Sequence, residues 1–267
     1  MQKWFLRDFL RVAQTLSCVC ASSAFAVINA PSVSEADFGY AVAYIQNGDQ
    51  SCSGTLIGPN VVLTAAHCIP EQGIRMVVGF ETVVNEKRWT HATFFSNPDF
   101  DIQNMKTSVN DFAVGILDRN MNIDEANPMA LSLETIKPED EFYLAGYGCT
   151  NTSKKYDQVH PSQLHSGPIR IEGHMDNLLF ASSRRQAAGC HGDSGSPLLV
   201  KVSDKGKSLW EIKGVLSRGG TSEAFLGHHN NTGIAQTSSP EFSRFLSKML
   251  SEHDLKICGI NIECADH

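Results

Sequence analysis

Short runs of apolar, β-branched and aromatic residues, separated by turn formers, recur along most of the chain: Tyr40-Ala41-Val42-Ala43-Tyr44-Ile45, Val61-Val62-Leu63, Arg75-Met76-Val77-Val78, Phe112-Ala113-Val114, Phe142-Tyr143-Leu144-Ala145, 197–202 and 212–216. Runs of this length and spacing predict strands of a sandwich or barrel. Near the end the period changes. Phe242, Phe245, Leu246, Met249 and Leu250 recur at helical spacing, after Ser239 as an N-cap and Pro240 at the first helical position. A terminal amphipathic helix on a β body is the expectation. No repeat of 20 to 50 residues and no low-complexity linker divides the chain.

The first segment follows neither pattern. Lys3, Arg7 and Arg11 precede the apolar stretch 12–21 and then Ala24-Phe25-Ala26, the layout of a secretory signal with a small-x-small cleavage site. A frayed N-terminal helix is the competing reading, because Gln14, Thr15 and Ser17 dilute the apolar stretch. On the signal reading, residues 1–26 are removed and 27–267 form the exported protein, outside the cell or in a periplasm. A lipidated Cys18 is a weaker option, since Thr15-Leu16-Ser17 is a poor context for it. No apolar run is long enough to cross a bilayer, so no membrane association is expected after signal removal.

Composition narrows the partners. The formal charge of −7 becomes −9 for 27–267, because the first 26 residues carry three basic side chains and one acidic. Nucleic acid is an unfavourable partner for such a chain. Removing the leader also removes Cys18 and Cys20, leaving Cys52, Cys68, Cys149, Cys190, Cys258 and Cys264. An even set in an exported chain favours disulfides over metal binding, although six cysteines allow 15 pairings.

Three stretches carry the chemistry: Thr64-Ala65-Ala66-His67-Cys68, Asn110-Asp111-Phe112-Ala113-Val114 and Gly192-Asp193-Ser194-Gly195-Ser196-Pro197. A serine hydroxyl attacks a carbonyl only with a base within hydrogen-bond reach and a group that fixes the base's tautomer. Histidine, aspartate and serine supply those roles, spaced 44 and 83 residues apart. In these motifs and this order the chain resembles the trypsin-like, chymotrypsin-fold serine proteases, as a secreted member of bacterial type. A lipase or esterase would run serine, acid, histidine and would show Gly-x-Ser-x-Gly, whereas position 196 is serine.

The resemblance implies an all-β fold of two antiparallel six-stranded β-barrels, about 27–140 and 141–238, with a C-terminal helix and tail over 239–267. It implies catalysis by His67, Asp111 and Ser194 through an acyl-enzyme, with the N–H groups of Gly192 and Ser194 as the oxyanion hole. No cofactor and no metal are called for. Cys52 and Cys68 would close the histidine loop. Cys258 with Cys264 would form a local loop, leaving Cys149 with Cys190. Val27, at the head of Val27-Ile28-Asn29-Ala30, would pair its amine with Asp193 once the signal is cut.

Ala188 stands where trypsin-type enzymes carry the aspartate that selects Lys or Arg. Ser217, Gly219 and Gly233 would line an open pocket, giving a preference for uncharged, small or apolar side chains. Arg218 departs from the apolar residue usual beside it, and His228 with His229 offers an alternative, acid-selecting lining. Asn151 and Asn230 sit in short glycosylation motifs. The expected protein is a monomer acting on proteins or peptides and open to protein inhibitors. Its rival is a protease-fold binding protein that does no chemistry.

Overall fold

The computed structural model describes residues 27–263 apart from 49, 82–85, 105–109, 123–124, 138, 150–162, 177, 184–185, 205–206 and 225–226. The signal segment, Asn151 and Cys264 therefore lie outside the described residues, as do the side chains of His228, His229 and Asn230.

The first lobe holds β1 (Val42–Asn47), β2 (Gln50–Gly58), β3 (Val61–Thr64), β4 (Ile74–Phe80), β5 (Arg88–Ser96) and β6 (Ala113–Leu117). They close into an antiparallel barrel in the order β1-β2-β3-β6-β5-β4. The second lobe holds β7 (Ala130–Leu131), β8 (Phe142–Gly146), β9 (His165–Ile169), β10 (Gly173–Met175), β11 (Leu178–Ser183), β12 (Pro197–Asp204), β13 (Lys207–Ala224) and β14 (Gly227–Gln236). Its order is β10-β11-β14-β13-β12-β8-β9, with β7 running parallel to β13. The architecture is the expected one of two β lobes and one helix. Among the described residues the first lobe closes on itself, whereas the second forms an eight-stranded sheet.

Burial explains the less regular strands. Ser53 through Gly58 on β2 are all buried, although a strand with one wet face would alternate. Both faces of β2 are covered. Its inner face is in the barrel, Ile57 accepts the Cys258 N–H from the C-terminal segment, and Ser53 donates its N–H to the carbonyl of Ser194 in the second lobe.

Helix α1 (Pro240–His253) starts as its sequence dictates: the Ser239 hydroxyl accepts the Phe242 N–H at 3.1 Å, and Pro240 occupies the first turn. It ends at Asp254 in a left-handed conformation. Phe242, Phe245, Leu246 and Met249 form its buried face. Phe242 meets Phe112 edge-on at 4.9 Å between ring centroids, and Phe245 stacks on the same ring at 6.3 Å. Truncating a buried phenylalanine costs about 3–5 kcal/mol. The helix thus clamps the residue next to Asp111.

Candidate active site

Antiparallel pairing brings two of the three motifs together. β3 and β6 pair Thr64 with Ala113, so the end of one strand lies beside the start of the other. His67 follows β3 in a 3-10 turn (Ala66–Cys68), and Asp111 lies two residues before β6 begins. A disulfide ties Cys68 to Cys52 on β2, with 6.3 Å between Cα atoms. Fully buried Asp111 then holds the histidine twice: Oδ1 accepts the His67 backbone N–H at 2.9 Å, and Oδ2 lies 2.7 Å from Nδ1. With Nδ1 protonated toward the carboxylate, Nε2 carries the free lone pair.

Oδ2 has a second donor that the sequence does not advertise. β13 bulges between Leu216 and Arg218, and the bulge turns Ser217 so that its hydroxyl reaches Asp111 at 2.6 Å. Sequence reading puts Ser217 in a pocket wall; the structure makes it a partner of the aspartate. A serine two residues before a glycine pair gives no signal of that role, because the bulge exists only once β13 meets β14.

Ser194 occupies the turn before β12, between Gly192 with φ 91 and Gly195 with φ 86. Both values need glycine. A Cβ at Gly195 would also stand 2.1 Å from Thr64 Oγ1 and 2.2 Å from the Ser53 carbonyl. The turn is therefore pressed onto the strand that leads to His67. Bonds from Asp193 N–H to Cys190, Gly195 N–H to Leu216 and Ser196 N–H to Asp193 fix it. Among the described residues, no intrachain hydrogen bond engages the N–H of Gly192 or of Ser194, and none joins Ser194 Oγ to the imidazole.

Asp193 is fully buried and accepts N–H groups from Cys190 at 3.0 Å, Gly148 at 2.8 Å and Val27. Burial pushes its carboxyl up to about 7, and the three donors only partly oppose this. Val27 is itself buried, with φ 49, an unfavourable angle for a β-branched residue. Ile28 exchanges two backbone hydrogen bonds with Ala188. Cys149 and Cys190 form the second disulfide. The suggested third bridge involves Cys264, outside the described residues.

The expected open pocket is not what the glycines leave. A Cβ on Gly219 would lie 2.3 Å from the Gly189 carbonyl oxygen, so these two backbone segments touch. Over Gly233 lies the Arg218 side chain, whose Cγ would be 2.7 Å from an added Cβ. Burial draws the Arg218 guanidinium below its ordinary range, and the Asp111 charge opposes that. The small residues here serve close packing rather than vacancy. The Sγ atoms of Cys52 and Cys68 lie close to the His67 ring, but a disulfide leaves neither sulfur as a thiolate ligand.

A model of the family described as Trypsin matches residues 28–238. The chain belongs to the trypsin family of serine proteases. Trypsin alpha of Drosophila melanogaster is 22% identical over 189 residues, 65% of this chain and 72% of that protein. Human granzyme M is 26% identical over 195 residues, 67% and 74% of the two chains, and human cathepsin G 29% over 173 residues, 59% and 68%. These relatives are animal proteases and lend no support to the expectation of a bacterial type. In three dimensions the fold matches mouse neuropsin, a serine protease, with a TM-score of 0.65 at 18% identity, covering 84% of this chain and all of that one. It likewise matches a scabies mite inactivated protease paralogue, TM-score 0.64 at 14% identity, covering 87% and all. Trypsin-like proteases are generally secreted and act on proteins or peptides. Among the described residues, no helix is long and apolar enough to cross a membrane.

Proposed function

We propose that this trypsin-family chain is a secreted serine endopeptidase in which His67, Asp111 and Ser194 form the catalytic triad. The observation carrying this reading is the doubly held histidine: Asp111 accepts the backbone N–H of His67 and lies at hydrogen-bond distance from its Nδ1, near a turn bearing Ser194. Nε2 takes the Ser194 proton as Oγ bonds to the scissile carbonyl carbon, and the imidazolium is stabilised by Asp111. The developing oxyanion is met by the N–H groups of Gly192 and Ser194. His67 then protonates the departing amine, and water repeats the sequence on the acyl-enzyme. The Oγ–Nε2 hydrogen bond of such a site tightens when substrate binds.

Activation follows from Val27. Its strained φ is defined by the bond to Ala26 and ceases to exist when that bond is cut. The cut supplies an ammonium where Asp193 now receives an amide N–H. With Ala188 buried and apolar at the pocket base, small or apolar side chains are preferred before the cleaved bond. A fluorophosphonate should label the secreted protein, and labelling should vanish in Ser194→Ala and in His67→Ala. Strong cleavage after Lys or Arg in a peptide panel would refute the pocket assignment.

The second reading, a binding protein on a protease scaffold, draws on the close approach of Gly219 to Gly189, two residues beside the slot assigned to the substrate side chain. One solved neighbour of this fold is described as inactivated. A folded, Val27-initiated protein that never labels would favour it.

A further inference from the structure

Four peptide groups surround the two free N–H donors of the nucleophile turn, and one residue outside that turn holds two of them. In the peptide of His191 and Gly192, the carbonyl accepts the Cys149 N–H at 2.6 Å; in that of Asp193 and Ser194, the carbonyl accepts the Ser196 N–H at 2.8 Å. The N–H groups of these two peptides, on Gly192 and Ser194, meet no acceptor among the described residues. The alternate peptides are pinned at both ends. That of Gly192 and Asp193 has its N–H on the Cys190 carbonyl at 3.1 Å, and its carbonyl accepts the Ser53 hydroxyl at 2.9 Å. That of Ser194 and Gly195 has its N–H on the Leu216 carbonyl at 2.8 Å, and its carbonyl accepts the Ser53 N–H at 2.8 Å.

Ser53 therefore anchors the turn at two alternate carbonyls from the opposite lobe. It is fully buried, and none of its polar atoms is idle. Its hydroxyl also accepts the Tyr147 N–H at 3.1 Å, and its own carbonyl accepts the Thr64 hydroxyl at 2.7 Å. Backbone alone would serve for the Ser194 contact. The Gly192 contact needs a side-chain donor, because Gly192 is the most conformationally free residue of the turn and its φ of 91 is open only to glycine. Without the hydroxyl, the Gly192–Asp193 peptide loses one of its two anchors, and Gly192, the joint between that peptide and the one bearing its own N–H, is held less firmly.

Resting on the reading of this site as a peptidase, we infer that Ser53 is a positioning residue for catalysis: its hydroxyl fixes the Gly192–Asp193 peptide and thereby limits the turning of Gly192 that would aim the neighbouring N–H away from the oxyanion. It touches no reacting atom. Removing an oxyanion donor outright costs about 10²–10³ in kcat. Loosening one should cost less, about 10- to 50-fold.

The test compares wild type with Ser53→Ala, both starting at Val27. Expected is a kcat loss of that order with KM within about twofold, and an equal loss of affinity for a peptidyl boronate, which forms the tetrahedral adduct. A separate readout needs no activity: amide exchange at Asp193, whose N–H closes the turn onto Cys190, should quicken at least about tenfold. Unchanged kcat, a rise in KM alone, or unchanged exchange at Asp193 overturns the assignment. If wild type itself fails to react with a fluorophosphonate, the peptidase reading falls and the exchange comparison still decides whether Ser53 holds the turn. Should Ser53→Ala not accumulate folded, Ser53→Cys, similar in size and a weaker donor, takes its place in both measurements with the same outcomes.

Discussion

Asp111 and Asp193 are both wholly buried, both flank the nucleophile turn, and are satisfied by opposite means. Asp111 faces a group that can become a cation, the His67 ring at 2.7 Å, with the Ser217 hydroxyl and a backbone N–H completing its shell. Asp193 faces only neutral N–H groups, from Cys190, Gly148 and Val27, and burial drives its carboxyl up to about 7. A buried carboxylate needs a compensating charge, and hydrogen bonds alone do not supply it. One aspartate thus has its counter-ion built in, while the other is waiting for one. On the proposed mechanism the difference separates chemistry from activation: the first pair is made by folding, and the second would be made by cutting the chain before Val27.

The largest break in this comparison is Asp111→Asn. An amide in this position can no longer favour the Nδ1-protonated tautomer or steady an imidazolium. We expect kcat to fall by about 10⁴, the magnitude that the equivalent substitution has in the type member of this family. The protein should remain folded by circular dichroism. Activity within about tenfold of wild type would show that His67 is not steered by this carboxyl.

Next in size is the waiting carboxylate. A protein retaining residues before Val27, or carrying Asp193→Asn with Val27 first, should lose roughly 10²- to 5 × 10³-fold in kcat/KM, following from about 3–5 kcal/mol for breaking a buried pair. The pH dependence of stability should also change sign. In the uncut chain Asp193 titrates near 7 against 3.8 when unfolded, so the native state holds more protons and stability falls as pH rises from about 4 to 7. With an ammonium at Val27 the charged carboxylate is favoured, its folded pKa drops below the unfolded value, and stability is instead level from about pH 4.5 to 7 and lost as pH falls below about 4. Glu35, which burial raises to about 7 beside Tyr147, adds the same falling slope to both forms and cancels in their difference. Urea unfolding of both forms at about pH 3, 4.5 and 7 checks this; parallel slopes would mean that no new ion pair forms.

Removing the other donor to Asp111 should do less. Ser217→Ala leaves the histidine contacts intact and deletes one bond to a charged acceptor, a loss of about 1.5–3 kcal/mol. We expect about a 10- to 100-fold drop in kcat with an unchanged KM for short peptides. A rise in KM alone would return Ser217 to the pocket-wall role that its sequence position implies.

Ser217 also marks where sequence reading ends. Motif and order locate His67, Asp111 and Ser194, because each sits in a local pattern that survives without three-dimensional context. The helix is equally legible: cap, proline and the buried face of Phe242, Phe245, Leu246 and Met249 are all local. Strands with clean apolar runs, such as β1, β3 and β6, are visible too. β2 and β5 are not, since Ser51 to Gly54 and Trp89 to Thr93 mix polar and apolar residues that become buried or paired only through the barrel. Ser217 and Ser53 are out of reach for the same reason. A bulge aims one, and a contact between lobes occupies the other. The pocket is the least legible part, because glycine reads as empty space in a sequence, whereas Gly219 and Gly233 lie against the Gly189 backbone and the Arg218 side chain.

The smallest expected effect concerns the residue two beyond the nucleophile, where the resembled motif more often has glycine. Ser196 is fully buried, its backbone carbonyl accepts the Leu216 N–H at 2.8 Å, and its Oγ has no hydrogen-bond partner among the described residues. Asp193 and Ser196 both crowd Gly146: a Cβ there would lie 2.4 Å from Asp193 Oδ1 and 2.3 Å from Ser196 Oγ. A buried hydroxyl without a partner costs about 1–3 kcal/mol, so Ser196→Ala, which keeps the backbone bond and the volume of Cβ, should stabilise the fold by about 1 kcal/mol. In the uncut chain that gain should appear in full by urea unfolding. If the Val27 ammonium reorganises the Asp193 pocket and gives the hydroxyl an anionic acceptor, the same substitution should turn neutral or destabilising in the cut form. Equal effects in both forms would show that Ser196 takes no part in how Asp193 is held.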